Sequence, residues 1–273
     1  MVPTSSIAVM IGGIVFIFVL VIGLMLFYKI RYRTKISTFL IGAATFILFA
    51  LVLEQIMHVI VLKTPIGETI QNNVWLLALY GGLAAGIFEE TGRLLAMKFL
   101  LKKDHDKPHT ALMYGTGHGG IEAILLGALG MAGNLVYSFM INAGQEQMLL
   151  SQVPAEQQEA LQTVFTQLKE FSPAMFAAAP VERLSAVTLH IALSVLVWTA
   201  VVKKKPSLFF LAILLHTAVD AMAVILKDQI PIAVLELIVM AFAVMTVFIA
   251  FAVWKRYLKS VQGDIPETEE TPA

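Results

Sequence analysis

Several apolar stretches of this sequence carry ionisable side chains that could perform acid–base or metal chemistry. The residues are Glu89, Glu90, Arg93, His118, Glu122, His190, His216 and Asp220. An ionised side chain at the centre of a bilayer costs about 3 kcal/mol or more unless it is paired or hydrated. Carboxylates and imidazoles move protons in general acid–base catalysis and bind catalytic metals. The set therefore predicts a buried catalytic or ion-binding site.

The spacing of these residues places some of them on shared helix faces. Arg93 follows Glu89 by four residues and Glu90 by three, so it can pair with only part of their charge. Asp220 follows His216 by four residues and can hold its imidazole in one tautomer. The simpler interpretations are a structural Glu–Arg ion pair and a structural His–Asp hydrogen bond.

The charge balance of the predicted site is negative. With neutral histidines, four carboxylates stand against one arginine. This excess is not stable in a low-dielectric environment. Either some carboxylates keep their protons at neutral pH, or a histidine is charged, or a cation is bound. Glu54 with His58, and Glu236, lie apart from this set and are interpreted as structural.

The composition shows what kind of protein must position these side chains. The 273 residues have a mean hydropathy of +0.82, with 58% hydrophobic and 14% charged residues. A soluble core of this size cannot bury so much apolar surface, so an integral membrane protein is predicted. Nineteen basic and nineteen acidic residues balance, which argues against nucleic acid as a partner. Cysteine is absent, so any metal must be bound by histidine and carboxylate.

Seven stretches are long enough to cross the hydrocarbon core as helices, which requires about 20 apolar residues each. They predict an all-α polytopic bundle and a single integral-membrane domain over residues 1–260. The spans are 7–28, 36–62, 74–101, 109–142, 183–202, 207–226 and 231–254. Residues 143–182 are predicted to be an outer amphipathic connector, with a helical stripe at Leu161, Val164, Phe165 and Leu168. Residues 261–273 are predicted to be an acidic cytoplasmic tail.

The basic residues predict the orientation. Most of them follow spans one, three, five and seven, and basic residues in short loops stay on the cytoplasmic side. The N-terminus is therefore expected outside the cell and the C-terminus in the cytoplasm. The lipid bilayer is the first expected partner.

The depth of each ionisable residue in the membrane follows from the number of residues between it and the cytoplasmic end of its span. At about 1.5 Å per residue, those of spans three to six fall in one layer about 14–20 Å deep. Two pairs of glycines, Gly82 with Gly86 and Gly115 with Gly119, are typical of close helix contacts and predict that spans three and four pack together. The segment 115–120 also matches a dinucleotide-binding pattern, but no strand precedes it, so this match is rejected.

The motifs in chain order resemble those of a known family. They are Glu89-Glu90-x-x-Arg93, Gly115-x-Gly117-His118-Gly119-Gly120-Ile121-Glu122-Ala123, Glu182-Arg183 with His190, and His216-x-x-x-Asp220. Over about residues 7–255, the sequence resembles the YhfC family of bacterial intramembrane peptidases, which implies a multi-pass protein of a bacterial plasma membrane. That family is similar to the PrsW proteases and, more remotely, to the type II CAAX prenyl endopeptidases and the Aph scaffold subunit of gamma-secretase.

The resemblance implies roles for individual residues. Glu89 would be the catalytic glutamate that activates water, with Glu90 its neighbour and Arg93 the orienting basic residue. His216 would be the late histidine of the family, and Asp220 would occupy the position of an asparagine in the CAAX enzymes.

The sequence also departs from the CAAX pattern. Those enzymes place the arginine one residue later, and their second motif ends in a histidine where this sequence has Glu122. His118 stands at their usual phenylalanine. Specificity for prenylated substrates is therefore not implied, and the identity of the water-activating pair stays open.

The predicted function is an intramembrane endopeptidase acting on membrane proteins or membrane-associated peptides, by one of two routes. In the first, Glu89 takes a proton from water, His216 stabilises the oxyanion, and Glu122 or His190 protonates the leaving amine.

In the second route a metal ion, with Zn²⁺ as the candidate, is bound by His190, His216 and either Glu89 or Asp220, and the remaining glutamate is the base. His118 and Arg183 are accessory candidates. Three other functions stay open: a non-catalytic scaffold or chaperone subunit, a proton-coupled transporter and a haem protein.

Overall fold

The computed structural model describes residues 1–263, with side chains described through Leu258. Within this range the chain is helical and forms no strand. The helices are α1 (Thr4–Tyr32), α2 (Ile36–Leu62), α3 (Pro65–Gln71), α4 (Val74–Leu95), α5 (Thr110–Asn142), α6 (Glu146–Ser151), α7 (Ala155–Glu170), α8 (Pro173–Val202), α9 (Pro206–Leu226) and α10 (Ile232–Gly263). The π-helical turn Ala96–Leu100 prolongs α4. The predicted acidic tail lies outside the described residues from position 264 onward.

Six of these helices, α1, α2, α5, α8, α9 and α10, are long and apolar enough to cross a membrane. The third predicted span, 74–101, is α4 with its π-helical extension. Its Glu89, Glu90 and Arg93 lower its mean hydropathy, which explains why it is not among the six. The all-α polytopic bundle predicted from the sequence is confirmed, and the protein is a multi-pass membrane protein. The direction in which the termini face remains a prediction.

Local sequence signals fix the helix starts. The side chain of Asn73 caps α4 by accepting hydrogen bonds from the amides of Trp75 and Leu76 at 3.0 and 3.1 Å. Proline stands in the first turn of α3, α8 and α9, where its missing N–H costs nothing. Helix α8 begins at Pro173, ten residues before the predicted span 183–202, because the alanine-rich segment after Pro173 is itself helical and continues through Pro180.

Helix α8 lies at the centre of the bundle. In its most apolar window 72% of the residues are buried inside the protein, against 22–33% for the other five spans. It packs against α5 and α10, while α4 packs against α9 and α2 against α5. Trp198 of α8 is fully buried. A helix surrounded by protein on most sides can carry polar groups that never meet lipid.

The predicted close packing of spans three and four is wrong. Side chains added at Gly82 and Gly86 would meet Thr217 of α9, so these glycines allow α4 to approach α9. Gly115 and Gly119 face the α8 backbone at Ile191 and Val187. Small residues permit a close approach but do not determine which helix approaches.

The segment between α5 and α8 contains the predicted amphipathic helix. In α7, Phe165 and Leu168 of the predicted stripe are buried, and they pack in a cluster with Val2, Met10 and Ile141. The stripe therefore attaches α7 to α1 and α5. Its placement on the outer side of the membrane stays a prediction.

Candidate active site

The two adjacent glutamates of α4 face different partners. Glu89 accepts a hydrogen bond from Nε2 of His118 on α5 at 2.8 Å. Glu90 accepts one from Nδ1 of His216 on α9 at 2.9 Å. All four side chains are buried. Neighbouring residues on a helix point about 100° apart, so one Glu-Glu pair reaches two different helices.

Arg93 connects this pair to α8. Its Nε and Nη2 donate to the Glu90 carboxylate at 2.9 and 3.2 Å. Its Nη1 donates to the main-chain oxygen of His190 at 3.0 Å and to the hydroxyl of Ser194. Arg93 is fully buried, so its charge is compensated by Glu90 and by these oxygen acceptors. Its partner is Glu90, three residues away, and not Glu89.

The tautomer of His190 follows from its two partners. Nδ1 lies 3.1 Å from Nη2 of Arg93, which can only donate, so Nδ1 accepts. Nε2 then carries the proton and lies 2.5 Å from a carboxylate oxygen of Glu122 on α5. The other oxygen of Glu122 accepts from Nη1 of Arg183 at 2.8 Å. Glu122 and Arg183 thus orient His190 from one side and Arg93 from the other.

His216 is held mainly by Glu90. The predicted partner, Asp220, lies 3.5 Å from Nε2, farther than Glu90 lies from Nδ1. With Nδ1–H directed at Glu90, Nε2 of His216 faces the cavity described below. The structure thus brings together all eight predicted site residues and Arg183.

One group in the described residues fits a metal ion. Glu89, His118 and His190 each offer a ligand atom, and these atoms lie within 4.8 Å of one another. Two imidazoles and a carboxylate are a donor set used by catalytic zinc sites. Nδ1 of His118 is buried without a hydrogen-bond partner among the described side chains, so this nitrogen is available as a metal ligand. The residues present therefore fit a metal, whose identity they do not determine.

This group differs from the predicted ligand set. The sequence-based set was His190, His216 and Glu89 or Asp220, whereas the structure places His118 beside Glu89 and engages Nδ1 of His216 with Glu90. His118 was ranked as accessory because depth alone does not reveal which way a side chain points around the helix axis. The signal that could have found it is its position between glycines, which lets α5 approach α8 closely.

A cavity of about 180 Å³ adjoins the group. Its polar lining residues are Glu89, Glu122, Glu182, Arg183, Ser185, His190, His216, Asp220 and Glu236. A small molecule or water could therefore occupy the space on one side of the buried carboxylate–histidine group. Glu182 and Glu236 were not predicted to belong to a site. The place of Glu182 directly before Arg183 in the third motif was the available signal.

Glu54 and His58 form a separate pair, as predicted. Nε2 of His58 lies 3.2 Å from the Glu54 carboxylate, and Nδ1 lies 2.9 Å from the hydroxyl of Tyr80. Neither residue lines the cavity.

The fold and the site define a polytopic helical membrane protein with a buried carboxylate–histidine group compatible with a metal ion. The family model described as YhfC intramembrane metalloprotease matches residues 15–244, and the chain belongs to this family. It is 38% identical over 235 residues to a protein of Bacillus subtilis (strain 168) named "Uncharacterized membrane protein YhfC", covering 85% of this chain and 90% of that protein. No solved structure matches the chain.

Proposed function

We propose that the protein is an intramembrane metallopeptidase that hydrolyses peptide bonds of membrane proteins or membrane-associated peptides. The observation that carries this proposal is the buried Glu89–His118–His190 group beside a polar cavity. Family membership supports it, because the matched family is described as an intramembrane metalloprotease.

In this proposal Glu89, His118 and His190 would hold the metal, with Zn²⁺ as the candidate, and the ion would take the place of Arg93 at Nδ1 of His190. Such an ion lowers the pKa of bound water to about 7 and polarises a carbonyl group. Glu122 favours this tautomer of His190, since its carboxylate oxygen lies 2.5 Å from the protonated Nε2. A carboxylate in this position orients a metal-binding imidazole and makes it more basic.

His216 is the proposed proton carrier. Glu90 receives its Nδ1–H, as the aspartate of a catalytic triad receives that of its histidine, so Nε2 is free to take a proton from the attacking water. Asp220, on the other side of the ring, stabilises the imidazolium that results. The proton then passes to the leaving amine. Arg93 positions the metal-binding group by bonding to His190, and it positions the proton carrier His216 by bonding to Glu90.

The proposal is tested by comparing newly formed protein termini in membrane proteomes of cells with the wild-type protein, Glu89→Gln or His216→Ala. Glu54→Gln is the matched control, because Glu54 is as buried as Glu89 but does not line the cavity. Fragments present with wild type and Glu54→Gln and absent from the other two establish proteolysis and name a substrate. Identical fragment sets from equally expressed, folded variants reject it and favour a scaffold or a transporter.

A further inference from the structure

One part of the cavity is strongly acidic. Its walls where α8, α9 and α10 meet carry Glu182, Asp220 and Glu236. Among the described lining residues, Arg183 is the only lysine or arginine. This arginine is already engaged, because Nη1 donates to Glu122 and Nη2 to Glu182. Neither of these two bonds reaches Asp220 or Glu236.

Glu236 is a buried acid whose Oε2 is unpaired among the described residues. Its residue is 7% exposed, and its Oε2 has no hydrogen-bond partner within the described side chains. Buried carboxylates in proteins are almost always paired or hydrogen-bonded. Since Glu236 lines the cavity, its partner can come from a molecule bound there.

A metal ion is not the best candidate for that partner. The described residues contain one group of histidines and acids close enough to hold a metal, and it is Glu89 with His118 and His190. Glu236 does not belong to it. A single cationic group bound by one or two carboxylates requires no such close set of ligands.

We propose that Glu236, with Asp220 on the wall of the same cavity, binds a lysine or arginine side chain of the substrate. The identity of the ligand rests on the proposed peptidase function. Because Asp220 lies 3.5 Å from Nε2 of His216, the subsite brings the basic residue of a substrate close to the proposed proton carrier and so to the bond to be hydrolysed. Glu236, interpreted from the sequence as structural, becomes a specificity-determining residue.

The test measures binding without cleavage. Full-length protein carrying Glu89→Gln is placed in nanodiscs. Its affinity is then measured for a synthetic transmembrane peptide that has one lysine near one end. The reference is the same peptide with norleucine, which keeps the alkyl chain and lacks the ammonium group. Glu236→Gln and Glu236→Ser are added to this background, and Glu54→Gln serves as the control.

We expect the lysine peptide to bind about 10-fold more tightly than the norleucine peptide. Both Glu236 variants bring that ratio close to one, while Glu54→Gln preserves it. An unchanged affinity for the norleucine peptide shows that the cavity is intact. Equal affinities in the parent protein, or a preference that survives in both Glu236 variants, overturn the proposal. Lysine preference without any cleavage by the wild-type protein contradicts the peptidase function and leaves the cationic subsite standing.

Discussion

Arg93 contacts His190 at two points. Its Nη1 donates to the main-chain oxygen at 3.0 Å, and its Nη2 lies 3.1 Å from Nδ1 of the ring. The same guanidinium bonds twice to Glu90, which in turn holds His216. One fully buried side chain therefore sets the relative positions of the two imidazoles on α8 and α9.

Arg93→Lys is expected to lower stability by about 3 kcal/mol or more. An ammonium group cannot make this fork of hydrogen bonds, so it leaves Glu90 or His190 without a partner in a buried site. Thermal unfolding in detergent measures the effect. Arg256→Lys is the matched control, because Arg256 is exposed on α10. Equal unfolding temperatures for the two variants would show that Arg93 is not a structural link.

Glu122→Gln is expected to weaken Zn²⁺ binding by about 10–100-fold, the usual effect of removing a carboxylate that orients a metal-binding histidine. The amide keeps the shape of the side chain but carries no charge to fix the His190 tautomer. Calorimetric titration of the purified protein with Zn²⁺ measures the affinity. Glu54→Gln is the control for loss of a buried carboxylate, and an affinity unchanged in Glu122→Gln argues against metal binding at His190.

Asp104, in the loop between α4 and α5, is expected to make stability depend on pH. Its carboxylate accepts hydrogen bonds from Lys35 at 2.8 Å and from Lys107 at 2.9 Å, and these bonds lower the pKa of Asp104. Because the folded-state pKa is lowered, the stabilisation is complete above the unfolded value of about 3.9. It is lost as pH falls through the folded-state value.

Unfolding temperatures of wild type and Asp104→Asn, measured from pH 7 to pH 2, test this linkage. The wild-type protein should be more stable at neutral pH, and the difference should shrink below about pH 4. A difference that stays constant over the whole range would mean that Asp104 acts through packing alone.

Gly117→Ala is expected to disrupt the contact between α5 and α2. A Cβ at this position would overlap the main-chain oxygen of Phe39, and backbone cannot move aside as a flexible side chain can. Gly130→Ala, in the same helix, meets no atom within 4 Å and should be neutral or stabilise by up to about 1 kcal/mol. Thermal unfolding of the two variants compares them, and similar stabilities would contradict the close α2–α5 contact.

The layer of ionisable residues could be predicted from the sequence, whereas their pairing could not. Depth depends only on the number of residues from the end of a span, so Glu89, His190 and His216 were placed at one level. Pairing depends on how each helix is rotated about its axis and which neighbour it faces. Glu90 meets His216 across 126 residues of sequence, and no local spacing encodes that contact.

The helix partner of the glycines was predicted wrongly for the same reason, because the sequence does not show which neighbour a helix faces. Gly82 and Gly86 correctly indicated a close helix contact, but the partner is α9 and not α5. The partner is chosen by the packing of the whole bundle, in which α8 occupies the centre. The start of α8 at Pro173 was missed because Pro180, Glu182 and Arg183 interrupt the apolar pattern on which span prediction depends.

The sequence separations within the polar network also bear on how the protein is made. Glu90 has Arg93 three residues away in the same helix, so that pair can form as soon as α4 exists. The partner of Glu89, His118, is synthesised 29 residues after it, and the partner of Glu90 on α9, His216, is synthesised 126 residues after Glu90. Because a chain is made from its N-terminus, α4 must be accommodated with an unsatisfied acid until α5 arrives. Biogenesis thus requires either a hydrated insertion environment for α4 or its insertion together with α5.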